Sequence, residues 1–438
     1  MIKRIRRPLT ALAGSMAVLA GLVLGGGVQS AAAEDGAAVG AAVGAVVAAP
    51  VVGRPVFNNP VGTVQEQRAV FDQLVGLIDA TPAGEQIRGS VFAINDQRIV
   101  DALLAAQRRG VSVKVILDDS TYVSADTGKE FANPAYDALK AGLGTDDTQA
   151  SWVVVCDDRF EDADGVDDVQ RGCLSTAKGS HNHNKYFLFS RTGPFADGAT
   201  YSKVVFQTSS NLTDWDAARA YQDAVTFADD AVYDGYLKYH DLQYTTRHQQ
   251  TVTSNPYFST ASGSTYRAFF LPRPDSAEEN PATDPLVNAL NEVSCWYTGT
   301  DGKRHQTDVR IAHTFFYDNR GQVLDKLVDL HDKGCWVDLV VRDMDHTTRA
   351  ALDSAHIRYR WCRDGNPAGP HPHDKYLLID GDYGGDITPR VYTGSHNLTG
   401  SSLRVTDEAF VRITSASYHA AYLHHFYMLQ NACGAAHN

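Results

Sequence analysis

The sequence predicts an α/β protein with two similar lobes, each a mixed β-sheet flanked by helices, related by pseudo-two-fold symmetry. Helical and strand-like segments alternate along the 438 residues, which is typical of α/β layers. A helix, a glycine and a β-branched strand occur twice, as DALLAAQRRGVSVKVILDD (101–119) and DKLVDLHDKGCWVDLVVRD (325–343). A short His-Lys-Tyr motif is also repeated. Such internal similarity indicates a duplicated domain.

The N-terminal 33 residues have the pattern of a signal peptide. Four basic residues between positions 3 and 7 precede an apolar run over 9–28, and Ala31 to Ala33 fit a cleavage site before Glu34. An uncleaved membrane anchor is the alternative, because the apolar run approaches spanning length. Residues 34–54 are mostly Ala, Gly and Val and predict a linker. We therefore expect a secreted protein whose fold begins near residue 55.

The two lobes are predicted at 55–255 and 256–438, from matching series of elements. The first series comprises a helix over 64–78, a strand over 88–94, a helix over 99–109 ending at Gly110, and strands over 111–117 and 152–156. The second comprises a helix over 284–293, a strand over 309–316, a helix over 322–333 ending at Gly334, and strands over 336–341 and 357–362. A glycine directly after a helix is a common helix terminator.

Charge and cysteine content narrow the function. The net charge of −13 argues against nucleic acid as a partner, because Lys and Arg contacts to phosphates dominate such binding. Six cysteines in an exported chain indicate disulfides. Cys156 and Cys173 flank an acidic loop and are expected to pair. Cys295 and Cys335 can pair if both lie at one end of a parallel sheet, which leaves Cys362 and Cys433 by elimination.

Two further features have an alternative interpretation. The acidic loop at 157–168 could bind a cation, but it lacks an EF-hand pattern, which favours a solvated loop. Asn211 and Asn397 each begin an Asn-Leu-Thr glycosylation sequon. If these side chains line an active site they cannot be glycosylated, and we interpret them as catalytic-site residues.

The repeated motif carries the chemistry. It reads HNHNKYFLFS at 181–190 and HPHDKYLLID at 371–380, and a Ser-x-Asn follows each copy. Residues two apart in an extended segment face the same way, so each copy presents a His and a Lys together. Histidine can act as nucleophile or proton carrier, and lysine supplies positive charge. Two such sets facing each other would form a phosphate site without a metal, in which one His attacks phosphorus and the other protonates the leaving oxygen.

This pattern resembles the phospholipase D superfamily, whose signature of H-x-K-x4-D followed by G-S-x-N occurs twice. The second copy matches in full, with His373, Lys375, Asp380, Gly394, Ser395 and Asn397. The first copy departs at two positions, since Ser190 replaces the Asp and Thr208 replaces the Gly before Ser209 and Asn211. His181 and His371 lie outside the signature, either at the mouth of the site or away from the chemistry.

The resemblance implies a phosphodiesterase that works through a phosphohistidine, without metal or cofactor, in a site between the lobes. His183 would be the nucleophile and His373 the acid and later the base, although the alike halves leave the reverse assignment open. The implied catalytic set is His183, Lys185, His373, Lys375 and Asp380. The implied phosphate-binding set is Ser209, Asn211, Ser395 and Asn397. An acidic residue orients each histidine, and Asp223 and Glu408 stand at matching places.

The resulting hypothesis is a secreted, monomeric phospholipase D that acts on glycerophospholipid head groups at a membrane or micelle surface. Export, acidity and the lack of a basic stripe favour lipid over nucleic acid. One alternative is a secreted nuclease of the same superfamily. Another is a weakly active member that binds phospholipid without turnover, and Ser190 is the feature that points to it.

Overall fold

The structure, a computed structural model, describes residues 49–124, 129–156, 171–177, 179–249, 256–262, 265–273, 284–365 and 369–438. All of them belong to one compact unit. The expected signal peptide, residues 34–48 of the expected linker and the acidic loop at 157–168 lie outside the described residues. The described chain already makes a tertiary hydrogen bond at Val51, whose backbone N–H donates to Gln73 Oε1 at 2.9 Å.

The described residues of the first lobe form a seven-stranded mixed sheet, one further short strand (β7) and six helices. Its strands are β1 (Arg54–Phe57), β2 (Gln86–Val91), β3 (Ser112–Leu117), β4 (Trp152–Val155), β5 (Lys185–Thr192), β6 (Tyr201–Thr208), β7 (Ala220–Tyr221) and β8 (Asp223–Ala228). Its helices are α1 (Val64–Gln67), α2 (Ala69–Asp79), α3 (Gln97–Arg108), α4 (Pro134–Leu143), α5 (Asp214–Arg219) and α6 (Asp230–Thr246). The order is β1-β8-β6-β5-β2-β3-β4.

The second lobe is built on an eight-stranded sheet. Its strands are β9 (Phe258–Ser259), β10 (Tyr266–Leu271), β11 (Val293–Ser294), β12 (Trp296–Thr298), β13 (Arg304–Gln306), β14 (Asp308–Phe316), β15 (Trp336–Met344), β16 (Arg358–Trp361), β17 (His371–Pro372), β18 (Lys375–Asp380), β19 (Asp382–Tyr383), β20 (Arg390–Gly394) and β21 (Glu408–Thr414). Its helices are α7 (Pro285–Asn291), α8 (Gly321–Asp332), α9 (His346–Ser354), α10 (Cys362–Gly365), α11 (Gly400–Arg404) and α12 (Ala416–Ala432). The main sheet runs β16-β15-β14-β18-β20-β21-β10-β9.

The two sheets correspond strand by strand. Read from the outer parallel strand, β4-β3-β2-β5-β6-β8-β1 matches β16-β15-β14-β18-β20-β21-β10. In each lobe the first three of these strands are parallel and the rest antiparallel. This confirms the predicted fold class of two mixed sheets flanked by helices.

A central core joins the lobes, with a second core on the outer face of each sheet. Tyr186 and Leu188 of β5 lie in the central core with Tyr376 and Leu378 of β18. The alternate residues of both strands are buried in the outer cores. Both strands are therefore covered on both faces, which explains their continuous apolar runs. Helix α6 packs against β10 of the second lobe, and α12 against β1 of the first.

Three disulfides close loops at the edges of the sheets. They join Cys156 to Cys173, Cys295 to Cys335, and Cys362 to Cys433. The expected pairings are confirmed, including the one reached by elimination. Such bonds are typical of oxidising compartments. Among the described residues, the structure contains no helix with the length and hydrophobicity needed to cross a bilayer.

Candidate active site

Backbone hydrogen bonds exchanged between the lobes bring the two copies of the motif together. Strand β17, which begins the second copy, pairs in parallel with β7, and the His373 N–H donates to the Tyr221 carbonyl at 2.9 Å. Reciprocally, the Asp407 N–H donates to the His181 carbonyl at 3.0 Å, and the His183 N–H donates to the Asp407 carbonyl at 2.9 Å. Each copy is thus anchored on the lobe to which it does not belong.

Each motif histidine is held through Nδ1 by a side chain of the other lobe. His183 Nδ1 lies 3.0 Å from both carboxylate oxygens of Glu408. His373 Nδ1 lies 3.0 Å from Gln222 Oε1. An Nδ1–H donated to an oxygen leaves Nε2 as the reactive nitrogen. The two histidines therefore have the same orientation but unlike partners, a carboxylate and a neutral amide.

The strand register explains why Gln222, and not Asp223, matches Glu408. The Ser209 N–H donates to the Asp223 carbonyl, whereas the equivalent Ser395 N–H donates to the carbonyl of Ala409. Asp223 is therefore the counterpart of Ala409, one residue beyond the alignment by sequence. A one-residue shift along a strand moves a side chain to the opposite face.

Asp223 is buried away from the histidines. Its Oδ2 accepts hydrogen bonds from Thr393 Oγ1 at 2.5 Å and Tyr422 OH at 2.6 Å. Within the part of the chain that the structure describes, none of its hydrogen bonds reaches a histidine. The prediction that Asp223 orients a catalytic histidine is wrong, and the same prediction for Glu408 agrees with the contacts of His183.

The two motif serines lie behind the histidines. Ser209 Oγ donates to Gln222 Oε1 at 2.8 Å, and Ser395 Oγ donates to Glu408 Oε2. Both serines are fully buried. Their hydroxyls thus position the partners of the histidines. The structure does not support the predicted direct phosphate contact, because these donors are already engaged.

The core and the helix caps fix the two Asn-Leu-Thr segments. Leu212 and Leu398 are buried in the outer cores, and Thr213 and Thr399 cap the N-termini of α5 and α11. Because the leucine and the threonine of each segment are fixed in this way, the position of the asparagine that precedes them is fixed as well. Asn211 Nδ2 donates to Asp216 Oδ1 at 3.2 Å. Among the described residues, the buried Oδ1 atoms of Asn211 and Asn397 have no hydrogen-bond partner.

The two motif lysines are buried, and no carboxylate among the described residues is bonded to either ammonium. Lys185 Nζ donates to the His183 carbonyl at 2.8 Å, and Lys375 Nζ donates to the His373 carbonyl at 2.5 Å and to Thr314 Oγ1 at 3.1 Å. Burial lowers the pKa of Lys185 to about 8 and, with the charge of Lys185, that of Lys375 to about 7. Buried ammonium groups of this kind gain from an anion between them.

Burial also controls the histidines. It lowers the pKa of His183 to about 3, although the Glu408 carboxylate acts in the opposite direction. Burial raises the pKa of Glu408, but the charge and hydrogen bond of His183 outweigh it, and the net pKa is about 2. Burial, Lys375 and Lys185 lower the pKa of His373. Burial thus favours the neutral form of both histidines, while Glu408 favours the charged form of His183.

The position occupied by Asp380 and Ser190 is remote from this chemistry. Each residue lies five positions after its lysine on β18 or β5, a distance of about 17 Å along a strand. Ser190 Oγ accepts the Gln86 N–H at 2.8 Å and donates to Glu85 at 2.7 Å, which ties β5 to the start of β2. Asp380 pairs with Asp308 across β14 and β18. The structure thus places Asp380 at the far end of β18 from Lys375, and its catalytic role stays a prediction.

The second departure of the first copy is also structural. Gly394 pairs with Phe410, and a Cβ at Gly394 would lie 2.5 Å from the Phe410 Cα. Thr208 pairs instead with the small Ala224, and its hydroxyl donates to the Asp223 carbonyl at 2.6 Å. The glycine is needed in the second lobe alone.

Sequence reasoning missed three polar residues of the site. Asp216 accepts from Gln222 Nε2 at 2.9 Å and lies 3.7 Å from His373 Nδ1. Gln222 and Thr314 contact His373 and Lys375, as described above. Gln222 could have been found only from the strand register. Asp216 follows the first Asn-Leu-Thr segment but has no counterpart in the second.

Comparisons with known proteins agree with this architecture. The family model described as "Cardiolipin synthase, PLD-like domain" matches residues 77–241 and 303–429, more than half of the chain. A phosphatidylserine synthase from Haemophilus influenzae Rd KW20 superposes with a TM-score of 0.56 at 13% identity, over 89% of this chain and 88% of that one. A polyphosphate kinase from Porphyromonas gingivalis superposes with a TM-score of 0.50 at 14% identity. That match covers 86% of this chain but 46% of the kinase. No curated protein sequence matches significantly.

Replacing either Ser190 or Asp380, which lie far from the histidines, should leave turnover almost unchanged. We expect Ser190→Asp and Asp380→Asn each to alter kcat/KM by less than about threefold, because neither side chain reaches the histidines, while Asp380→Asn changes the midpoint of thermal unfolding. Asn397→Ala serves as the contrasting variant, with a loss of about a hundredfold. A comparable loss in Asp380→Asn would return this residue to the catalytic set.

Anion affinity should weaken as pH rises. The lysine pKa values of about 7 and 8 are depressed, so the ammonium charges are present at low pH and are lost as pH rises through these values. Sulfate keeps its charge over this range, so the change in affinity comes from the protein, and the lysine variant below identifies the part due to a lysine. We expect its affinity, measured by calorimetry, to fall about tenfold between about pH 6 and pH 9. An affinity independent of pH would contradict the assignment. Lys375→Met should remove the part of the change near pH 7.

Proposed function

We propose that this chain, which belongs to the family defined by the cardiolipin synthase-type PLD-like domain, is a secreted phospholipase D-type phosphodiesterase. It hydrolyses the head-group ester of glycerophospholipids or transfers the phosphatidyl group to an alcohol. Proteins with this fold act on phosphodiesters. The main observation that supports this proposal is that the two His-Lys pairs lie in one site, where each histidine contacts a side chain of the opposite lobe.

In the first step, Nε2 of one histidine attacks phosphorus and the bond to the head-group oxygen breaks. The other histidine donates its Nε2 proton to that oxygen, and the alcohol leaves. Lys185 and Lys375, with the amides of Asn211 and Asn397, surround the non-bridging oxygens. The bound phosphodiester lies between the lysines, and its negative charge raises the pKa of the acid histidine, so that it holds a proton when substrate is present.

In the second step, the histidine that acted as acid accepts a proton from water or an alcohol. The activated oxygen attacks phosphorus, the bond to the nucleophilic nitrogen breaks, and phosphatidic acid or an exchanged phospholipid is released. The enzyme returns to its initial protonation state. Covalent catalysis of this kind replaces one difficult displacement by two easier ones.

The unlike partners of the histidines support His183 as the nucleophile. A phosphorylated imidazole that keeps its Nδ1–H carries positive charge on the ring. The Glu408 carboxylate, 3.0 Å from His183 Nδ1, stabilises that cation. His373 Nδ1 instead contacts the neutral Gln222 at 3.0 Å and the Lys375 ammonium at 3.1 Å, while the nearest carboxylate, that of Asp216, is farther away at 3.7 Å. A cationic His373 is therefore less stabilised than a cationic His183, which makes His373 the stronger acid toward the departing head group.

Lipid substrate and secretion rest on separate observations. The three disulfides suit an oxidising compartment. The phosphatidylserine synthase that shares the fold is named for a phospholipid product. The net charge of −13 disfavours nucleic acid. A monomer suffices for activity, because one chain supplies both histidines.

The function is tested by offering both substrate classes under metal-free conditions. The mature protein is incubated with vesicles of phosphatidylcholine, phosphatidylethanolamine or phosphatidylserine, and separately with plasmid DNA, all in EDTA. We expect release of the head group and formation of phosphatidic acid. His183→Ala and His373→Ala should each lower turnover of natural lipids by at least about a thousandfold.

Three outcomes would contradict the proposal. A nicked plasmid with intact lipids would indicate a nuclease. Silence in both assays would favour the phospholipid-binding alternative. Near-normal lipid turnover in either histidine variant would refute the shared site. His331→Ala, at a position on α8 remote from the site, controls for loss of a histidine in general.

The order of the two histidines is tested with a lipid that carries a p-nitrophenyl ester in place of the head group. This leaving group departs without an acid, so His373→Ala should still complete the first step. We expect a burst of one p-nitrophenolate per enzyme and a phosphatidyl adduct on His183, detected by mass spectrometry after an alkaline quench. His183→Ala should give no burst. The opposite pattern would reverse the roles.

A further inference from the structure

The two lobes differ in charge at one pair of equivalent positions beside the site. Position 118 follows β3 and carries an aspartate, and its counterpart 342 in β15 carries an arginine. Asp118 is fully buried and accepts the backbone N–H groups of Ser120 at 3.0 Å and Asn182 at 2.6 Å. Its role is therefore to hold the chain that leads to His183. Arg342 cannot have the same role, because it has no acceptor to offer.

Arg342 is half-buried and free to bind a ligand. Among the described residues it makes no hydrogen bond or ion pair, and its guanidinium lies 5.8 Å from the centre of the Phe315 ring. The register of β14 and β15 puts it opposite Thr314, between the pairs His313–Val341 and Phe315–Asp343. Thr314 in turn holds Lys375 Nζ at 3.1 Å. Arg342 therefore extends the positive charge of the phosphate site across one strand.

The neighbouring cation is differently placed. Arg363 is paired with Asp343 through a hydrogen bond of 2.6 Å, and its side chain is 63% exposed. Its charge is largely neutralised by that partner and by water. Arg342 thus has charge to offer, and Arg363 provides a natural control.

The extra histidines of the two motif copies repeat this difference. His181 Nδ1 lies 3.2 Å from the Gly179 carbonyl and is engaged. The buried Nδ1 of His371 has no hydrogen-bond partner among the described residues. Strand β17, which carries His371, packs against β15, which carries Arg342. After burial, the charge of Arg342 is the largest cause of the lowered pKa of His371.

We propose that Arg342 and His371 form a second anion subsite next to the lysine pair, which binds a carboxylate or phosphate group of the substrate's head group. The inference rests on the proposed function, since it names the substrate class of the same site. The diacylglycerol part of a phospholipid is uncharged. Any anion other than the scissile phosphate must therefore belong to the head group. A guanidinium binds planar oxyanions through two parallel hydrogen bonds, and His371 can add a third donor.

The subsite is tested with soluble glycerophosphodiesters, because anionic vesicles would also repel an acidic protein. Glycerophosphoserine and glycerophosphoethanolamine differ only in a carboxylate. Glycerophosphoglycerol with and without a terminal phosphate forms the second matched pair and distinguishes the two anions. Affinities are measured by calorimetry in His183→Ala, which prevents turnover. We expect the anion-bearing member of at least one pair to bind about tenfold more tightly.

Arginine variants then locate that preference. Arg342→Gln should reduce the affinity ratio to near one, Arg342→Lys should restore part of it, and Arg363→Gln should leave it near its original value. Thermal unfolding confirms that each variant is folded. Equal affinities within both pairs, or a ratio unchanged by Arg342→Gln, would overturn the subsite.

The outcome is separable from that of the proposed function. If phospholipids are hydrolysed but no ratio is found, the function stands and the subsite fails. If phospholipids are not hydrolysed but the Arg342-dependent ratio persists, the subsite stands and the lipid substrate is wrong. In the first case the arginine serves only to pack against Phe315.

Discussion

The candidate active site depends on backbone hydrogen bonds that cross reciprocally between the two lobes. The chain before His183 is hydrogen-bonded to Asp407, and the chain before His373 is hydrogen-bonded to Tyr221. Neither lobe alone therefore presents a complete half-site, because the side chain that holds each histidine comes from the other lobe. The central core enforces the crossing by placing Tyr186 and Tyr376 in one apolar layer. The duplicated sheet thus supplies two similar strands, and the hydrogen bonds exchanged between the lobes bring their motif copies into one candidate site.

Within this symmetric frame, the differences between the lobes determine direction. Glu408 beside one histidine and Gln222 beside the other make the nitrogens chemically unequal. Thr314 holds one lysine, whereas Phe92 places its ring centre 5.2 Å from Lys185 Nζ. Glu408 and Gln222 have similar volumes but differ by a full negative charge when Glu408 is ionised. In the proposed mechanism, these differences let one lobe stabilise the covalent intermediate while the other moves protons.

Burial is what makes these groups reactive. Charged side chains out of water are destabilising unless partners satisfy them, and buried hydrogen-bond partners around the site satisfy much of this requirement. Asp407, for example, accepts the backbone N–H groups of Cys173 and Leu174, next to the Cys156–Cys173 disulfide. That disulfide thereby fixes the same segment that anchors His183.

The sequence alone determined the duplication, the α/β class and the two His-Lys pairs, because these follow from local periodicity and from residue types at fixed spacing. It indicated the Cys156–Cys173 disulfide, whereas the other two pairings depended on the fold. It also exposed Ser190 and Thr208 as departures from the signature. Only the tertiary structure showed that Ser190 and Thr208 make hydrogen bonds within the sheet and that Gln222 rather than Asp223 contacts a histidine. Strand register is set by pairing with distant residues, and one position along a strand reverses the face. The unpaired Arg342 was likewise invisible in the sequence, since a missing partner is a property of three-dimensional packing.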